Sequence, residues 1–460
     1  MRKRTIACLM AGVLFSLMLG IGCGKTAVEN VAVKKTEAAA ETGAPSEGAG
    51  NAVEEEEQNA GEGTGREAEE SSAEGERGGT EKSGEEKRRV EISTEGETEE
   101  TEKQKALRER LGAPERLSAE SVDEDGIVQT LNAAVMVPDA DFFTVCSAEA
   151  RAFGNGDVKT LVEPLLGEGG LYCFEPEEYE HIVNQMAFTE LRLKYGYYIG
   201  DEDEQGLKGS KEMLEGCIED MQDEVRKTEI PLLPEPYDNL NMGDRLEGFT
   251  DWEQRTVQVG LRKYGLSVME WPNVCDDPCT IYREEAEKLA EAYMEKLGLS
   301  EEWSLYYAGL REFDIWTFSK AGYVFEYVRE IRGVPVAEAA KLSFLIDDRG
   351  VADLRYTDLN VREGEEEAAL LPFSEIQKVY QETRIPVMCE PNELQSVTVD
   401  ELRLAYHYVP DTEESRKTGS LVPAWNAYGT YQFLDEEGVL RTSLREPLLS
   451  VNAMDGTILD

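Results

Sequence analysis

The sequence contains few of the residues on which most catalytic sites depend. Only two histidines, His181 and His407, occur in 460 residues. Neither has a serine or cysteine nucleophile beside it in a recognisable motif, and no phosphate-binding loop, dinucleotide fingerprint or nucleophile elbow is present. Acidic residues are so numerous that their spacing does not indicate a glycosidase pair. We predict that the chain is not an enzyme and has no cofactor, with a hydrolase that uses an unrecognised acidic site as an alternative.

Basic residues are scarce as well. The chain has 47 Lys and Arg against 95 Asp and Glu, which gives a net charge of −48. A field of that sign repels phosphate backbones and anionic lipid headgroups. We therefore expect no nucleic-acid partner and no binding to membranes through a basic patch.

Long apolar runs are absent after residue 22, but one stands at the start of the chain. Residues 1–4 are Met-Arg-Lys-Arg, residues 5–22 carry no charge, and the run stops at Gly22-Cys23. A cationic start, an apolar stretch and a small-residue cleavage site indicate an export signal. The alternatives are a plain secretory signal and a short transmembrane anchor, which three glycines in the segment disfavour.

The residues around Cys23 resemble the lipobox of bacterial lipoproteins, although Gly20 stands where that motif usually has leucine. The resemblance implies that residues 1–22 are a signal peptide and that Cys23 becomes the first mature residue, with diacylglycerol on its thiol. We expect the protein to lie on the extracytoplasmic face of the cell membrane, anchored by this lipid.

Aromatic residues are missing between Phe15 and Phe142. The segment 23–116 is dominated by Glu, Gly, Ala, Ser and Thr, a composition that buries too little apolar surface to fold. It predicts a disordered acidic linker, in which a helix over Glu102–Leu111 is conceivable. We expect two folded domains after it, 117–275 and 276–460.

Six cysteines follow the leader and Cys23, namely Cys146, Cys173, Cys217, Cys275, Cys279 and Cys389. Their number permits three disulfides, but six cysteines allow 15 connectivities, and buried thiols are an equal alternative. The CDDPC motif of Cys275 and Cys279 lacks the second ligand pair that a zinc site needs.

One acidic stretch partly matches a calcium-binding loop. Asp201, Asp203, Gln205, Gly206 and Glu212 occupy positions 1, 3, 5, 6 and 12 of an EF-hand. The glutamine at position 5, the lysine at position 8 and the lack of a second loop are against this assignment. We expect a chance match and no metal site.

The second half of the chain predicts an α+β fold. An amphipathic helix over Glu284–Leu297 precedes a run of predicted strands, and a second helix over Ser374–Thr383 precedes another such run. Helix followed by meander, twice over, predicts helix-on-antiparallel-sheet units. The strands are expected at Trp303–Phe313, Tyr323–Arg332, Ala340–Asp347, Val351–Leu359, Val397–Val409, Leu421–Leu434 and Leu448–Asp460.

The end of the chain carries a recognisable pattern. LVPAWNAYG (Leu421–Gly429) and LLSVNAMDGTILD (Leu448–Asp460) resemble the ending of YycI-type and PepSY-type extracytoplasmic domains, and YVFEYVREIRGVPV (Tyr323–Val336) fits the same plan. The whole chain resembles an uncharacterised family of clostridial lipoproteins. The resemblance implies cystatin-like units of helix on sheet and an extracytoplasmic role in regulation or binding, and it brings no catalytic residues.

The signature residues have a simpler structural interpretation. We expect Pro423 and Trp425 to serve as a strand start and a core residue, and Asn452, Asp455 and Gly456 to form a turn. The favoured function is therefore a membrane-tethered, non-enzymatic lipoprotein that binds or regulates an envelope partner, such as a membrane sensor. A solute- or glycan-binding lipoprotein is the alternative.

Overall fold

The protein is described by a computed structural model. It describes residues 100–122, 126–153, 155–166, 170–199, 202–230, 245–252, 255–262, 264–272, 276–299, 303–313, 320–387, 393–412, 417–435 and 438–459.

The helices in these residues are α1 Glu102–Leu111, α2 Asn155–Leu166, α3 Glu178–Tyr195, α4 Glu204–Met221, α5 Arg283–Lys296 and α6 Phe373–Glu382. The strands are β1 Arg116–Val122, β2 Val128–Met136, β3 Cys146–Ala150, β4 Leu171–Glu175, β5 Arg226–Ile230, β6 Arg245–Trp252, β7 Arg255–Arg262, β8 Gly265–Glu270, β9 Trp303–Arg311, β10 Gly322–Ile331, β11 Val334–Pro335, β12 Lys341–Asp347, β13 Gly350–Tyr356, β14 Leu359–Arg362, β15 Leu394–Pro410, β16 Thr418–Leu434, β17 Leu440–Thr442, β18 Glu446–Asn452 and β19 Ile458–Leu459.

Two sheets organise the fold. Sheet I has the order β1-β2-β15-β16-β18-β19, with β17 and β3 also paired to β16 and β14 paired to β3. Sheet II has the order β11-β10-β12-β13-β8-β7-β6-β4-β5, and β9 pairs with β10. Among the strands of the described residues, every ladder is antiparallel except that of β2 with β15, and an isolated parallel bridge also joins Val336 to Tyr406. This arrangement confirms the α+β class and the largely antiparallel sheets.

Sheet II is built from one continuous stretch of chain. In the sequence, this stretch is inserted between the two groups of strands that form sheet I. Strands β4–β13 form sheet II, whereas β1–β3 and β14–β19 form sheet I. The domain boundary expected between residues 275 and 276 therefore falls inside sheet II, between β8 and β9. Sheet II is continuous there because β8 pairs with β13, so strands from both sides of the expected boundary share one ladder.

Each sheet carries a helix on one face. On sheet I, Phe373 of α6 packs edge-on against Trp425 of β16 with ring centroids 4.9 Å apart, and the Tyr380 hydroxyl donates to the Trp425 carbonyl at 2.6 Å. On sheet II, the Tyr293 ring of α5 packs against Trp252 and Phe344. These aromatic contacts join the amphipathic helices to the sheets, as the helix-then-meander pattern predicted.

The folded part of the chain begins earlier than the sequence predicted. The expected linker extends to residue 116, whereas α1 forms within it and buries Leu107 and Leu111 in the main core. Thr101 and Gln104 form a capping box at its start, and Gly112 ends it in the left-handed region with φ of 64°. The helix has the bounds considered from the sequence, but composition placed it in the linker because two leucines carry its whole buried face.

Candidate functional site

The predicted lipid site lies outside the described residues. Cys23, the leader 1–22 and the linker as far as residue 99 all belong to that part of the chain. Lipid attachment at Cys23 therefore stays a prediction. None of the helices in the described ranges has the length and apolar content that a membrane-spanning segment needs.

Two of the six later cysteines are free thiols with polar neighbours. The buried Cys146 Sγ lies 3.5 Å from Thr144 Oγ1, and Cys173 Sγ lies 3.6 Å from the Thr228 carbonyl. Three disulfides would use all six cysteines, so this structure does not contain three. Cys275 and Cys389 lie outside the described residues.

The two histidines have amide partners. His181 Nε2 on α3 lies 2.9 Å from Gln185 Nε2, and His407 Nδ1 on β15 lies 3.3 Å from Asn426 Oδ1. Both side chains are half-buried. These contacts orient the rings through ordinary hydrogen bonds, as a structural role requires.

The calcium-like pattern is mostly helix in the structure. Gln205, Gly206 and Glu212 all lie within α4, and the Asp203 side chain caps this helix by accepting from the Gly206 amide at 2.7 Å. A helix cannot wrap around an ion as an EF-hand loop does. Asp201 lies outside the described residues, and no cluster of three or more metal-ligating side chains occurs in the rest of the described chain.

Most of the C-terminal signature has the structural role expected of it, but Pro423 does not start a strand. It lies inside β16, which begins at Thr418, and stands opposite Tyr406 of β15. Proline is tolerated there because the pairing of β16 with β3 ends at Leu421 and its pairing with β18 begins at Ala424.

Trp425 is 1% exposed in the core. At the turn between β18 and β19, Asn452 Oδ1 accepts from the Met454 amide, Asp455 Oδ1 accepts from the Thr457 amide, and Gly456 adopts φ of 77°. Glycine suits that left-handed position because it has no Cβ.

A group of charged and aromatic side chains joins the two sheets, and we call it the inter-sheet junction. Its members are Tyr306 on β9, Glu401 and Arg403 on β15, Tyr428 on β16, and Arg445. Tyr306 is the extra residue of a β-bulge against β10. Its hydroxyl lies 3.0 Å from that of Tyr428, and its carbonyl accepts from Arg403 Nη1 at 2.7 Å.

The charges of the inter-sheet junction are paired. Glu401 lies between two arginines, with Arg403 Nε at 2.8 Å and Arg445 Nη2 at 3.0 Å. Burial works to lower the pKa of Arg403, but Glu401, Tyr306 and Tyr428 together outweigh it and the pKa rises. Burial also raises the pKa of Tyr306. These two shifts keep Arg403 charged and Tyr306 neutral at neutral pH, so the arrangement fits sheet-to-sheet docking better than proton transfer.

A second buried ionic group lies within sheet II. Arg255 Nη2 is 2.5 Å from Asp347 Oδ1, and its Nη1 is 3.5 Å from Glu270 Oε2. Lys320 and Arg349 also contact Glu270, at 3.1 Å and 2.7 Å. Opposite charges at these distances stabilise each other. We interpret these ionic contacts as structural, because they hold β7, β8 and β12 together.

A cavity of about 280 Å³ opens at one end of sheet I. Its apolar wall comes from the sheet and from the chain after α6, and its polar rim comes from the end of α6. The lining residues are Ser121, Val122, Ile127, Gln129, Gln381, Glu382, Thr383, Arg384, Ile385, Leu394 and Val397. A volume just below the usual range of small-molecule pockets suits one amino-acid-sized group.

Gln129 forms the floor of this cavity and fixes its shape. Its Nε2 donates to the carbonyls of Tyr380 and Thr383, both at 3.1 Å, and its Oε1 accepts from the Ile385 amide at 3.1 Å. One buried amide therefore satisfies three backbone groups where α6 ends. The hydrogen bonds of Gln129 make this cavity a candidate for ligand binding.

No family model matches the chain, and no curated protein matches it. Three solved structures are similar to parts of it. An uncharacterized protein from Eubacterium rectale shares 13% identity, covering 75% of this chain and 94% of that one with a TM-score of 0.35. The YpeB C-terminal domain from Bacillus megaterium shares 12% identity, covering 45% and 90% with a TM-score of 0.24. YycH from Bacillus subtilis shares 7% identity, covering 65% and 94% with a TM-score of 0.25. The lipoprotein family and the YycI-like and PepSY-like ending stay predictions.

Proposed function

We propose that this protein is an extracytoplasmic lipoprotein, held on the cell membrane by a lipid on Cys23, whose folded part binds an envelope partner without catalysing a reaction. The observation that carries the proposal is the leader, in which a cationic start and an uncharged apolar segment end at Gly22-Cys23. The low-complexity segment that follows supports a tether to the lipid.

The buried ionisable groups support a binding role. In the inter-sheet junction and in the group around Arg255, opposite charges contact each other within the fold. Catalytic acids and bases generally need pKa values matched to their task, whereas paired structural ions keep one charge state. In this proposal the tether keeps the folded part near the membrane, and the surface of the folded part binds the envelope partner.

Replacement of Cys23 tests the anchor. In the source bacterium, Cys23→Ala is expected to move the protein from the membrane fraction to the medium, because it removes the thiol that receives the lipid. Cys8→Ala is the matched control, since it deletes a cysteine from the same leader without touching the lipid site. Membrane association that survives Cys23→Ala contradicts the anchor.

Site-specific photo-crosslinking tests the partner. A photoreactive amino acid at Gln381, on the rim of the cavity, is expected to capture one envelope protein reproducibly in intact cells. The control position is Glu229, which is exposed on β5 of sheet II. Equal capture at both positions, or no protein captured at either, contradicts a specific binding surface near the cavity.

A solute-binding role is the second candidate, and the cavity favours it. Glu382 and Arg384 place both signs of charge at the rim, and Ile385, Leu394 and Val397 form an apolar wall. This combination suits a small zwitterion such as an amino acid. Thermal shift with the twenty amino acids tests this role: a rise in Tm that Leu394→Trp abolishes supports it, and no shift contradicts it.

A further inference from the structure

The edge of sheet I at β1 has an unpaired row of backbone groups. In the described residues, sheet I ends at β1, which pairs only with β2. The Val135 amide donates to the Glu115 carbonyl, which marks these two residues as a hydrogen-bonded pair. Antiparallel ladders alternate, so Leu117, Ala119 and Ser121 direct their backbone groups at β2. The N–H and C=O groups of Arg116, Ser118, Glu120 and Val122 therefore face outward.

The side chains of these outward-facing residues leave the edge accessible. Arg116, Ser118, Glu120 and Val122 are all exposed, with Val122 at 61%. Successive side chains of a strand alternate between faces, so these four share one face of the sheet. An open row of donors and acceptors beside exposed side chains is a template for another strand.

The sequence of β1 is complementary in charge to itself. When two copies pair antiparallel with Ser118 opposite Ser118, Arg116 of each copy stands directly opposite Glu120 of the other. All of these residues are outward-facing, so each opposing pair is hydrogen-bonded through the backbone. Two cross-strand ion pairs then flank a serine pair, and such pairs stabilise antiparallel strands.

The arginine changes its partner to make this contact. Arg116 Nε donates to Asn132 Oδ1 at 2.8 Å and its Nη2 donates to the Asn132 carbonyl at 3.1 Å. These bonds hold the guanidinium over β2, on the side away from the open edge. Asn132 is exposed, so water can replace the arginine there when the Arg116 side chain turns to Glu120 of the second copy.

We propose that the protein forms a homodimer in which β1 pairs antiparallel with β1 of a second copy, in the register that places Arg116 opposite Glu120 and Ser118 opposite Ser118. The twofold axis passes between the two Ser118 residues, as an isologous interface requires. Sheet I becomes continuous across both copies. The net negative charge of each copy opposes this contact, so the local Arg–Glu pairs select the register and the backbone hydrogen bonds hold it.

A cysteine at the twofold axis tests the register in the full-length chain in intact cells. Residues in a hydrogen-bonded antiparallel pair have Cα atoms about 5.5 Å apart, within reach of a disulfide. Ser118→Cys is therefore expected to give a covalent dimer under mild oxidation with copper phenanthroline. Glu120→Cys is the control, because in this register Glu120 stands four residues from its own counterpart. No dimer from Ser118→Cys, or an equal yield from Glu120→Cys, overturns the proposal.

Charge exchange separates the specific ion pairs from general repulsion. In the full chain carrying Cys23→Ala, Glu120→Arg is expected to weaken dimerisation at least tenfold in analytical ultracentrifugation, because it places arginines opposite each other. The combined exchange R116E/E120R is expected to restore the affinity to within about threefold. Glu229→Arg on β5 makes the same charge change on another edge strand and is the control.

The direction of the change decides between the specific pairs and the overall charge. Both single changes to arginine reduce the net negative charge, so general repulsion alone predicts tighter dimers for Glu120→Arg and Glu229→Arg alike. Tighter association of Glu120→Arg, or no rescue by the combined exchange, overturns the proposal. A protein with the natural β1 sequence that stays monomeric at all concentrations also overturns the proposal.

Discussion

Replacing Leu107 by alanine tests whether α1 packs in the core of the folded chain. Leu107 is 2% exposed and belongs to the main core. The change removes three buried carbon groups, worth roughly 2.4 kcal/mol at about 0.8 kcal/mol each, and the cavity left behind adds to the cost. Alanine favours helix slightly more than leucine, so helix propensity adds nothing to the loss and offsets it by only roughly a few tenths of a kcal/mol. We expect the free energy of unfolding to fall by about 3 kcal/mol in urea titrations.

The matched control is Glu109→Ala, an exposed position on the same helix. We expect it to change the free energy of unfolding by less than about 0.5 kcal/mol. Two truncations sharpen the test: a chain that starts at residue 98 should keep the stability of the longer protein, and one that starts at residue 114 should lose much of it. A Leu107→Ala protein as stable as Glu109→Ala would refute the packing of α1 against the core.

Three further changes address the rest of the fold. Arg403→Ala removes one of the two arginines that contact the buried Glu401, and we expect the free energy of unfolding to fall by about 3 kcal/mol in urea titrations. A fall of less than about 1 kcal/mol contradicts the buried ion pair. Tyr380→Phe removes the hydrogen bond from α6 to the Trp425 carbonyl and should lower the free energy of unfolding by about 1 kcal/mol in the same assay. An unchanged free energy of unfolding argues against that bond. Burial works to raise the pKa of Asp276, but hydrogen bonds from Lys194 and Tyr195 outweigh it and hold that pKa below its ordinary value. Its carboxylate therefore stabilises the fold at pH 7, and this contribution is lost as the pH falls through the lowered pKa. Asp276→Asn should cost about 1 kcal/mol of unfolding free energy at pH 7 and progressively less as the pH falls through that lowered pKa, and a difference that stays constant over the same range refutes the linkage.

Local patterns in the sequence predicted the elements of the second half closely. The helices expected over Glu284–Leu297 and Ser374–Thr383 match α5 and α6 to within a residue at each end. Their apolar spacing and caps are local signals, and packing on the sheets reinforces them. The turn at Asp455-Gly456 could be predicted for the same reason, since the residues that form it are adjacent in the sequence.

The insertion of sheet II between the two parts of sheet I could not be predicted from the sequence, because it depends on pairing between distant strands. Nothing in β2 by itself indicates that its parallel neighbour is β15, more than 250 residues later. The strands expected at Trp303–Phe313 and Tyr323–Arg332 correspond to β9 and β10, but the ladder between β8 and β13 crosses the expected boundary at residue 275. Pairing between distant strands, which local spacing does not encode, decides such an architecture.

The inter-sheet junction and the cavity were missed for different reasons. Glu401 and Arg403 lie two residues apart in β15, so their side chains share one face of the strand, and this spacing is a usable sign of an ion pair. The cavity has no such sign. Its floor, Gln129, meets Thr383 and Ile385 only because β2 and the end of α6 come together in three dimensions.

The lipid on Cys23 is tested most directly by mass spectrometry of the protein extracted from the membrane fraction. We expect a mature chain that begins at Cys23 and carries the mass of a diacylglycerol group on the N-terminal peptide. A chain that retains residues 1–22, begins at another residue, or has an unmodified Cys23 would contradict the anchored lipoprotein.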